Sequence, residues 1–274
     1  MAKASTGYVD LADGKLSYEM AGDGETLVLG HAGFVDSRMW DPQWDAFTQQ
    51  YQVIRFDMRG YGKSDPAQRP RNRRDDLFQL LSHLHVESAA LLGCSFGGTI
   101  MLDFVLEHPE MVSALITASS APSGFQVQGD PPPLVLEMVT ASQRGETARV
   151  SELQLRLWVD GPYRQPQQVN PLVRERAAEM NRIPVGLNTW LVADSHPLDP
   201  LDPPAIGRLS TIHTPALIMA GALDDPEVLR AAGVMTDAIK GAKNHLFSQS
   251  AHVPNMEEPE AFTQVVLSFL DGLK

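Results

Sequence analysis

Short apolar runs rich in β-branched residues recur along the chain, separated by longer stretches in which apolar positions return at helical spacing. The runs are Leu27 to Leu29, Val53 to Phe56, Ala89 to Leu92, Ala114 to Thr117, Ala216 to Ala220 and His245 to Phe247. Continuous apolar runs of this length predict strands buried on both faces, as parallel strands are. Between them, Leu77, Leu80, Leu81 and Leu84 are spaced to lay one apolar stripe along a helix, the stripe that a sheet covers. Tyr8 to Leu11 and Leu16 to Met20, joined through Asp13-Gly14, predict an antiparallel hairpin at one edge. Asp41 before Pro42 predicts a helix start with Asp41 as its N-cap. Together these make an α/β fold: a mostly parallel, eight-stranded sheet flanked by helices.

The alternation stops near Ser123 and resumes near Pro215. Between them lie the Pro-rich opening Gly129-Asp130-Pro131-Pro132-Pro133, helical stretches over Leu134 to Arg144, Glu146 to Val159 and Pro171 to Ile183, and a Pro-rich exit from Pro197 to Pro204. The segment is too apolar for a linker, because Leu134, Met138, Leu157, Trp158, Met180, Leu187 and Trp190 all need cover. The expected organisation is a core of residues 1–122 and 213–274 with an inserted helical cap over 123–212.

Composition narrows the partners. At 274 residues and 43% hydrophobic content, one sizeable core is expected. A net charge of −12 disfavours the basic surface that nucleic acid or an anionic membrane requires, so a small-molecule substrate is expected. The lone Cys94 cannot form an internal disulfide, and no run approaches a membrane span or a secretory leader, which points to a cytoplasmic protein. No His or Cys spacing suggests zinc, and Gly93 to Gly98 lacks the Lys-Ser/Thr ending of a phosphate loop, so no metal and no cofactor are expected.

Gly93-Cys94-Ser95-Phe96-Gly97 fits G-x-S-x-G, a pattern with little meaning alone. Its setting gives it meaning, because it follows the strand Ala89 to Leu92 and precedes the helical stretch Thr99 to Glu107. A sharp strand-to-helix turn that projects a serine leaves no room for side chains at positions 93 and 97. A serine hydroxyl attacks only when a base takes its proton. Of eight histidines, His252 is placed for that task, in the loop Ser250 to Asn255 between the last strand and the terminal helix Pro259 to Leu270. Such a base needs an orienting carboxylate, and both Asp224 and Asp225 follow the strand Ala216 to Ala220 through Gly221. An oxyanion needs two backbone donors. Phe96, after the serine, supplies one; His31-Ala32-Gly33-Phe34 supplies the other, from Gly33 or in its place Phe34. His31 itself reads as a hydrogen-bonder that shapes this loop.

These marks are ordered along nearly the whole chain: His31-Ala32-Gly33 with Trp40 downstream, Phe56-Asp57-Met58-Arg59-Gly60-Tyr61-Gly62-Lys63-Ser64-Asp65, the Ser95 elbow, Gly221-Ala222-Leu223-Asp224, and His252-Val253-Pro254 with Glu257 and Pro259. The chain resembles the α/β-hydrolase superfamily, in particular small esterases, haloperoxidase-like enzymes, and C–C or lactone hydrolases with a helical cap. The resemblance selects Asp224 as the triad acid, which leaves Asp225 to cap the following helix. It departs from the usual pattern at Ala32, where glycine is common, and at Ser250-Ala251. Ser95 excludes the aspartate-nucleophile relatives, the haloalkane dehalogenases and epoxide hydrolases. Asp57 to Arg59 reads as structural, its charges paired beneath the site.

The resemblance implies acyl transfer: a carboxylesterase of small neutral esters, acting as a monomer or homodimer through Ser95, His252 and Asp224. A lactonase, a C–C hydrolase and a cofactor-free perhydrolase would share the triad, and a slow-turnover binding protein is the reading from another class. Phe34, Leu134, Met138, Leu157, Trp158, Trp190 and Val253 are the candidate substrate contacts.

Overall fold

All eight expected strands form, each one to three residues longer than its apolar run. In the computed structural model, which describes residues 4–274, they are β1 (Ser5–Leu11), β2 (Gly14–Ala21), β3 (Thr26–Gly30), β4 (Gln52–Phe56), β5 (Ala89–Cys94), β6 (Val112–Ala118), β7 (Ala216–Gly221) and β8 (Lys243–Phe247). They lie in one sheet in the order β1-β2-β4-β3-β5-β6-β7-β8. The hairpin β1–β2 and the β2–β4 pair are antiparallel, and every other pairing is parallel.

Successive residues of the central strands face opposite sides, so each strand feeds two apolar layers. Leu27, Leu29 and Leu92 pack with Trp40, Phe47 and Phe262 on one side. Val28, Leu91 and Leu115 pack with Leu77, Phe104 and Met235 on the other. The helices that cover them are α1 (Asp41–Thr48), α2 (Arg73–His83) and α3 (Phe96–Glu107). α1 starts differently from expectation. A 3-10 turn, Ser37–Trp40, runs straight into it, and that turn is capped by Asp36, whose side chain accepts the Arg38 N–H. Asp41 is therefore the first helical residue, and its carboxylate is turned to Arg55 and Arg176.

β6 and β7 are neighbours in the sheet, yet residues 119–215 separate them in the chain. This stretch holds α4 (Pro133–Gln143), α5 (Thr147–Gln154) and α6 (Pro171–Gly186). α5 continues as a wider π turn over Leu155–Asp160, and α6 carries Pro184 within its last turn, past its expected end at Ile183. A small cluster of Ala141, Val150 and Leu153, with Leu134, Met138 and Val185 against it, holds α4 to α5. Leu155, Val159, Val173, Ala177 and Met180 instead join the layer under Trp40, which binds the helical stretch to the sheet. The chain closes with α7 (Pro226–Ala238), α8 (Pro254–Glu257) and α9 (Pro259–Asp271). Among the described residues no helix is long and apolar enough to cross a membrane.

Candidate active site

β5 ends at Cys94 and α3 begins at Phe96, so Ser95 alone makes the turn. Its φ of 52° and ψ of −120° lie outside the regions a side chain prefers, a strain of about 1–3 kcal/mol that the surroundings must hold. The Ser95 N–H donates to the Ala118 carbonyl at 2.8 Å, which fastens the turn to β6. A Cβ on Gly97 would stand 2.5 Å from the Gly30 carbonyl oxygen, and one on Gly93 would strike the Gly97–Gly98 backbone. The two glycines of the motif are thus required by close approach of main chain to main chain.

The turn aims Ser95 at His252. Oγ lies 2.7 Å from Nε2, and Nδ1 on the far side of the ring lies 2.8 Å from Oδ2 of Asp224. Asp224 is wholly buried; its Oδ1 accepts the Asp225 N–H at 2.8 Å. Asp225 turns the other way, capping α7 by accepting the Glu227 N–H at 2.8 Å. Of the two candidate carboxylates, Asp224 is the one against the imidazole. An acceptor at Nδ1 selects the tautomer with its proton there, leaving the Nε2 lone pair to face the serine O–H.

The His252 loop is anchored on both sides. Glu257 accepts the Ala251 N–H at 2.8 Å and pairs with Arg164 at 2.6 Å, while Ser250 Oγ donates to Glu258 at 2.6 Å. Burial pushes the Glu257 carboxyl up against the pull of Arg164. Cys94, beside the serine, is no rival nucleophile. Burial, with the Asp224 charge adding to it, drives its thiol well above the ordinary range.

Gly33 meets the elbow closely, since a Cβ there would lie 3.2 Å from Cβ of Phe96. Phe96 opens α3, so its N–H has no partner within the helix. His31 is buried and neutral: Nδ1–H donates to the Ala32 carbonyl at 2.9 Å and Nε2 accepts the Met58 N–H at 2.9 Å. Burial lowers its pKa, and the nearby carboxylates Asp57 and Asp36 only oppose that. His31 thus ties the loop after β3 to the loop after β4. The charges of Asp57 and Arg59 are both satisfied, each by different partners. Asp57 accepts the N–H groups of Ser37 and Lys63 at 2.9 and 2.8 Å, and Arg59 reaches Asp13 at 3.1 Å.

The sequence profile of the alpha/beta hydrolase fold matches residues 25–259. The chain belongs to the α/β-hydrolase family. A pimeloyl-[acyl-carrier protein] methyl ester esterase of Vibrio atlanticus is 27% identical over 263 residues, spanning 93% of this α/β hydrolase and 97% of the relative. A 2-hydroxy-6-oxo-6-phenylhexa-2,4-dienoate hydrolase of Comamonas testosteroni is 29% identical over 278 residues, spanning 95% and 93%. A crystal structure of a hydrolase from Pseudomonas aeruginosa superposes with a TM-score of 0.78 at 25% identity, covering 97% of this chain and 98% of that one.

The other candidate contacts divide. Two aromatic rings stand by the imidazole of this α/β hydrolase, Trp158 at 4.8 Å and Phe34 at 6.4 Å between centroids. Trp190 packs edge-on against Phe96 at 5.9 Å. With Met138 it lines an apolar cavity of about 410 Å³ between α4, α5 and the end of α6. Leu134, Leu157 and Trp158 do not line it. Val253 is fully buried and presents no surface, because its side chain packs into the layer that holds Trp40, Met256 and Phe262. Sequence reasoning missed Arg164, which steadies the His252 loop, and Tyr61, whose hydroxyl reaches the Gly33 carbonyl. Tyr61 lay within a segment already marked as structural; nothing local marked Arg164. Among the described residues no group of three or more His, Cys, Asp or Glu is arranged to hold a metal ion.

Proposed function

We propose that this α/β hydrolase is a serine carboxylesterase that cleaves a small neutral ester through an acyl-enzyme on Ser95. The observation that carries the reading is the continuous hydrogen-bond chain from Ser95 Oγ through His252 to Asp224, at 2.7 and 2.8 Å, on a strained elbow. His252 takes the serine proton as Oγ attacks the ester carbonyl. The resulting oxyanion is held by the N–H groups of Phe96 and Gly33, with Phe34 as the alternative second donor. Protonated His252 then gives its proton to the departing alcohol, and water activated by the same ring releases the acid. Asp224 stays ionised throughout and stabilises the imidazolium.

The cavity beside Trp190 and Met138 supports an apolar arm on the substrate, since Trp190 touches the residue next to the nucleophile. The net charge of −12 supports a small neutral molecule in the cytoplasm over nucleic acid or an anionic membrane as partner. A lactone or C–C substrate would use the same residues, and the Comamonas testosteroni relative favours keeping that second reading. Hydrolysis of p-nitrophenyl esters from acetate to laurate, by wild type and Ser95→Ala, separates them. Steady turnover that the substitution lowers by several orders of magnitude supports the esterase. No turnover by wild type overturns it and directs the assay to lactones and C–C substrates.

A further inference from the structure

Tyr61 is fully buried, and its hydroxyl lies 3.0 Å from the Gly33 carbonyl oxygen and 3.0 Å from Oδ2 of Asp194. Asp194 belongs to the turn Trp190–Asp194, in the helical stretch between β6 and β7. Its other oxygen accepts Nε of Arg73 at 2.8 Å, and Arg73 also donates to the Arg59 carbonyl at 2.9 Å. Nearby, Thr189 Oγ1 donates to the Gly60 carbonyl at 2.8 Å. One phenol therefore joins three pieces of chain: the loop after β3, the segment after β4 and the turn beneath Trp190.

We propose that Tyr61 is a positioning residue for the oxyanion hole, its hydroxyl fixing the Gly33–Phe34 peptide against Asp194 so that the loop's N–H groups face Ser95. In a trans peptide the C=O and the following N–H point in opposite directions. The Ala32 carbonyl is held by His31 Nδ1–H at 2.9 Å and by the Val35 N–H at 3.2 Å, which sets the direction of the Gly33 N–H. Tyr61 holds the next carbonyl and so sets the Phe34 N–H in the same way. Whichever of the two donors serves, its peptide unit is pinned at the oxygen end, and the second pin is the phenol. Glycine at position 33 makes such a pin necessary, because that residue has the widest backbone freedom.

Asp194 anchors the phenol. A phenol has one proton, and here two acceptors stand at equal distance from it. The phenol donates toward both, and the Asp194 carboxylate is itself fixed by its ion pair with Arg73 at 2.8 Å, so the acid holds the hydroxyl where it reaches the Gly33 carbonyl. An amide in place of the acid keeps this hold without the charge: its oxygen faces Arg73 and its NH₂ donates to the phenol oxygen, which leaves the phenol proton to Gly33.

This inference rests on the acyl-transfer reading and is tested beside it, on the full chain. For wild type, Tyr61→Phe, Asp194→Ala and Asp194→Asn, the measurements are kcat and KM for p-nitrophenyl butyrate, the inhibition constant of an alkyl trifluoromethyl ketone, and the melting temperature. Removing an oxyanion donor outright costs ~10²–10³ in rate, so loosening one is expected to cost roughly tenfold. Tyr61→Phe is expected to lower kcat by that factor, leave KM within about twofold, and weaken the ketone, whose adduct carries the oxyanion, in proportion to kcat. Asp194→Ala is expected to do the same, and Asp194→Asn to recover most of the loss. Unchanged kcat in Tyr61→Phe, or a ketone affinity that does not follow kcat, overturns the proposal. If Tyr61→Phe does not fold, the Ala/Asn pair decides: recovery by Asn of both kcat and ketone affinity supports the pin, and equal loss in both variants overturns it. Ser95-dependent turnover that ignores Tyr61 sinks this inference alone, whereas wild type without Ser95-dependent turnover sinks the acyl-transfer reading as well.

Discussion

The main-chain N–H of His252 donates to the carbonyl oxygen of Trp158 at 3.3 Å, and the two rings stand 4.8 Å apart at 35°. The base is thus braced from the far side by the helical stretch between β6 and β7, through main chain and ring together. A packed aromatic ring restricts the orientations open to the imidazole, which keeps Nε2 aimed at Ser95.

Trp158→Ala keeps the main-chain bond and removes the ring. Its kcat is expected to fall roughly tenfold with a smaller change in melting temperature, while Trp158→Phe, which keeps an aromatic face, retains most of the activity. Steady-state ester hydrolysis by the two variants is the check. Equal activity in Trp158→Ala and wild type would show that the ring does not brace the base.

The adjacent carboxylates are expected to separate cleanly. Asp224→Asn leaves the shape of the site but selects the wrong tautomer of His252, and a loss of ~10⁴ in kcat with an intact fold is expected. Asp225→Ala removes the cap that accepts the Glu227 N–H, and is expected to cost about 1 kcal/mol of stability with activity retained. Activity and denaturant unfolding, measured on both variants, would reverse the assignment if the losses were exchanged.

The parts of this arrangement that were legible in the sequence are those fixed by neighbours in the chain. Gly93 and Gly97 flank Ser95 between an apolar run and a helical stripe, and the strain at the turn follows from that order. Asp225 before Pro226 reads correctly as a cap for the same reason. Asp41 before Pro42 has the same local form, but the turn Ser37–Trp40 enters α1 without a break, so the cap moved back to Asp36. What was not legible is what the fold brings together from afar. Tyr61 and Asp194 lie 133 residues apart, and Arg164 and Glu257 lie 93 apart, so no periodicity or spacing announces either pair. Val253 shows the opposite limit: adjacency to His252 said nothing about which way its side chain turns.

Arg164 and Glu257 form a buried pair, with side chains only 11% and 6% exposed. Removing one partner leaves the other charge uncompensated, which costs about 3–5 kcal/mol. Arg164→Met is therefore expected to lower the melting temperature by roughly 10 °C. The double variant Arg164→Met, Glu257→Gln is expected to recover much of that, because no buried charge remains. Thermal unfolding of the single and double variants decides it, and a double variant as unstable as the single would assign the loss to the Val159, Asp160 and Gln249 carbonyls that Arg164 also holds.

The cavity beside Met138 offers a test of chain-length preference. Met138→Trp fills part of its 410 Å³, and the kcat/KM for laurate relative to acetate is expected to fall several-fold. An unchanged ratio across the ester series would mean that the acyl chain lies elsewhere.

Asp103 gives a pH dependence of stability whose sign can be worked out. Burial on α3 pushes its carboxyl up from 3.8 to about 6, opposed by the Ser123 hydroxyl, which donates to it at 2.6 Å, and by the charge of Arg74. A group whose pKa is raised by folding favours the folded state fully below the unfolded value, and that contribution is lost as pH rises through the folded value. The window therefore runs from about pH 4 to about pH 6, and at 1.36 kcal/mol per unit the ionised form costs at most about 3 kcal/mol above it. Asp103→Asn keeps an acceptor for Ser123 and never carries the charge. The variant is expected to be about 2 kcal/mol more stable than wild type in urea unfolding at pH 8, and equal to it at pH 4. A gap of the same size at both pH values would place its origin in packing, because only the charged carboxylate carries a penalty that acid removes.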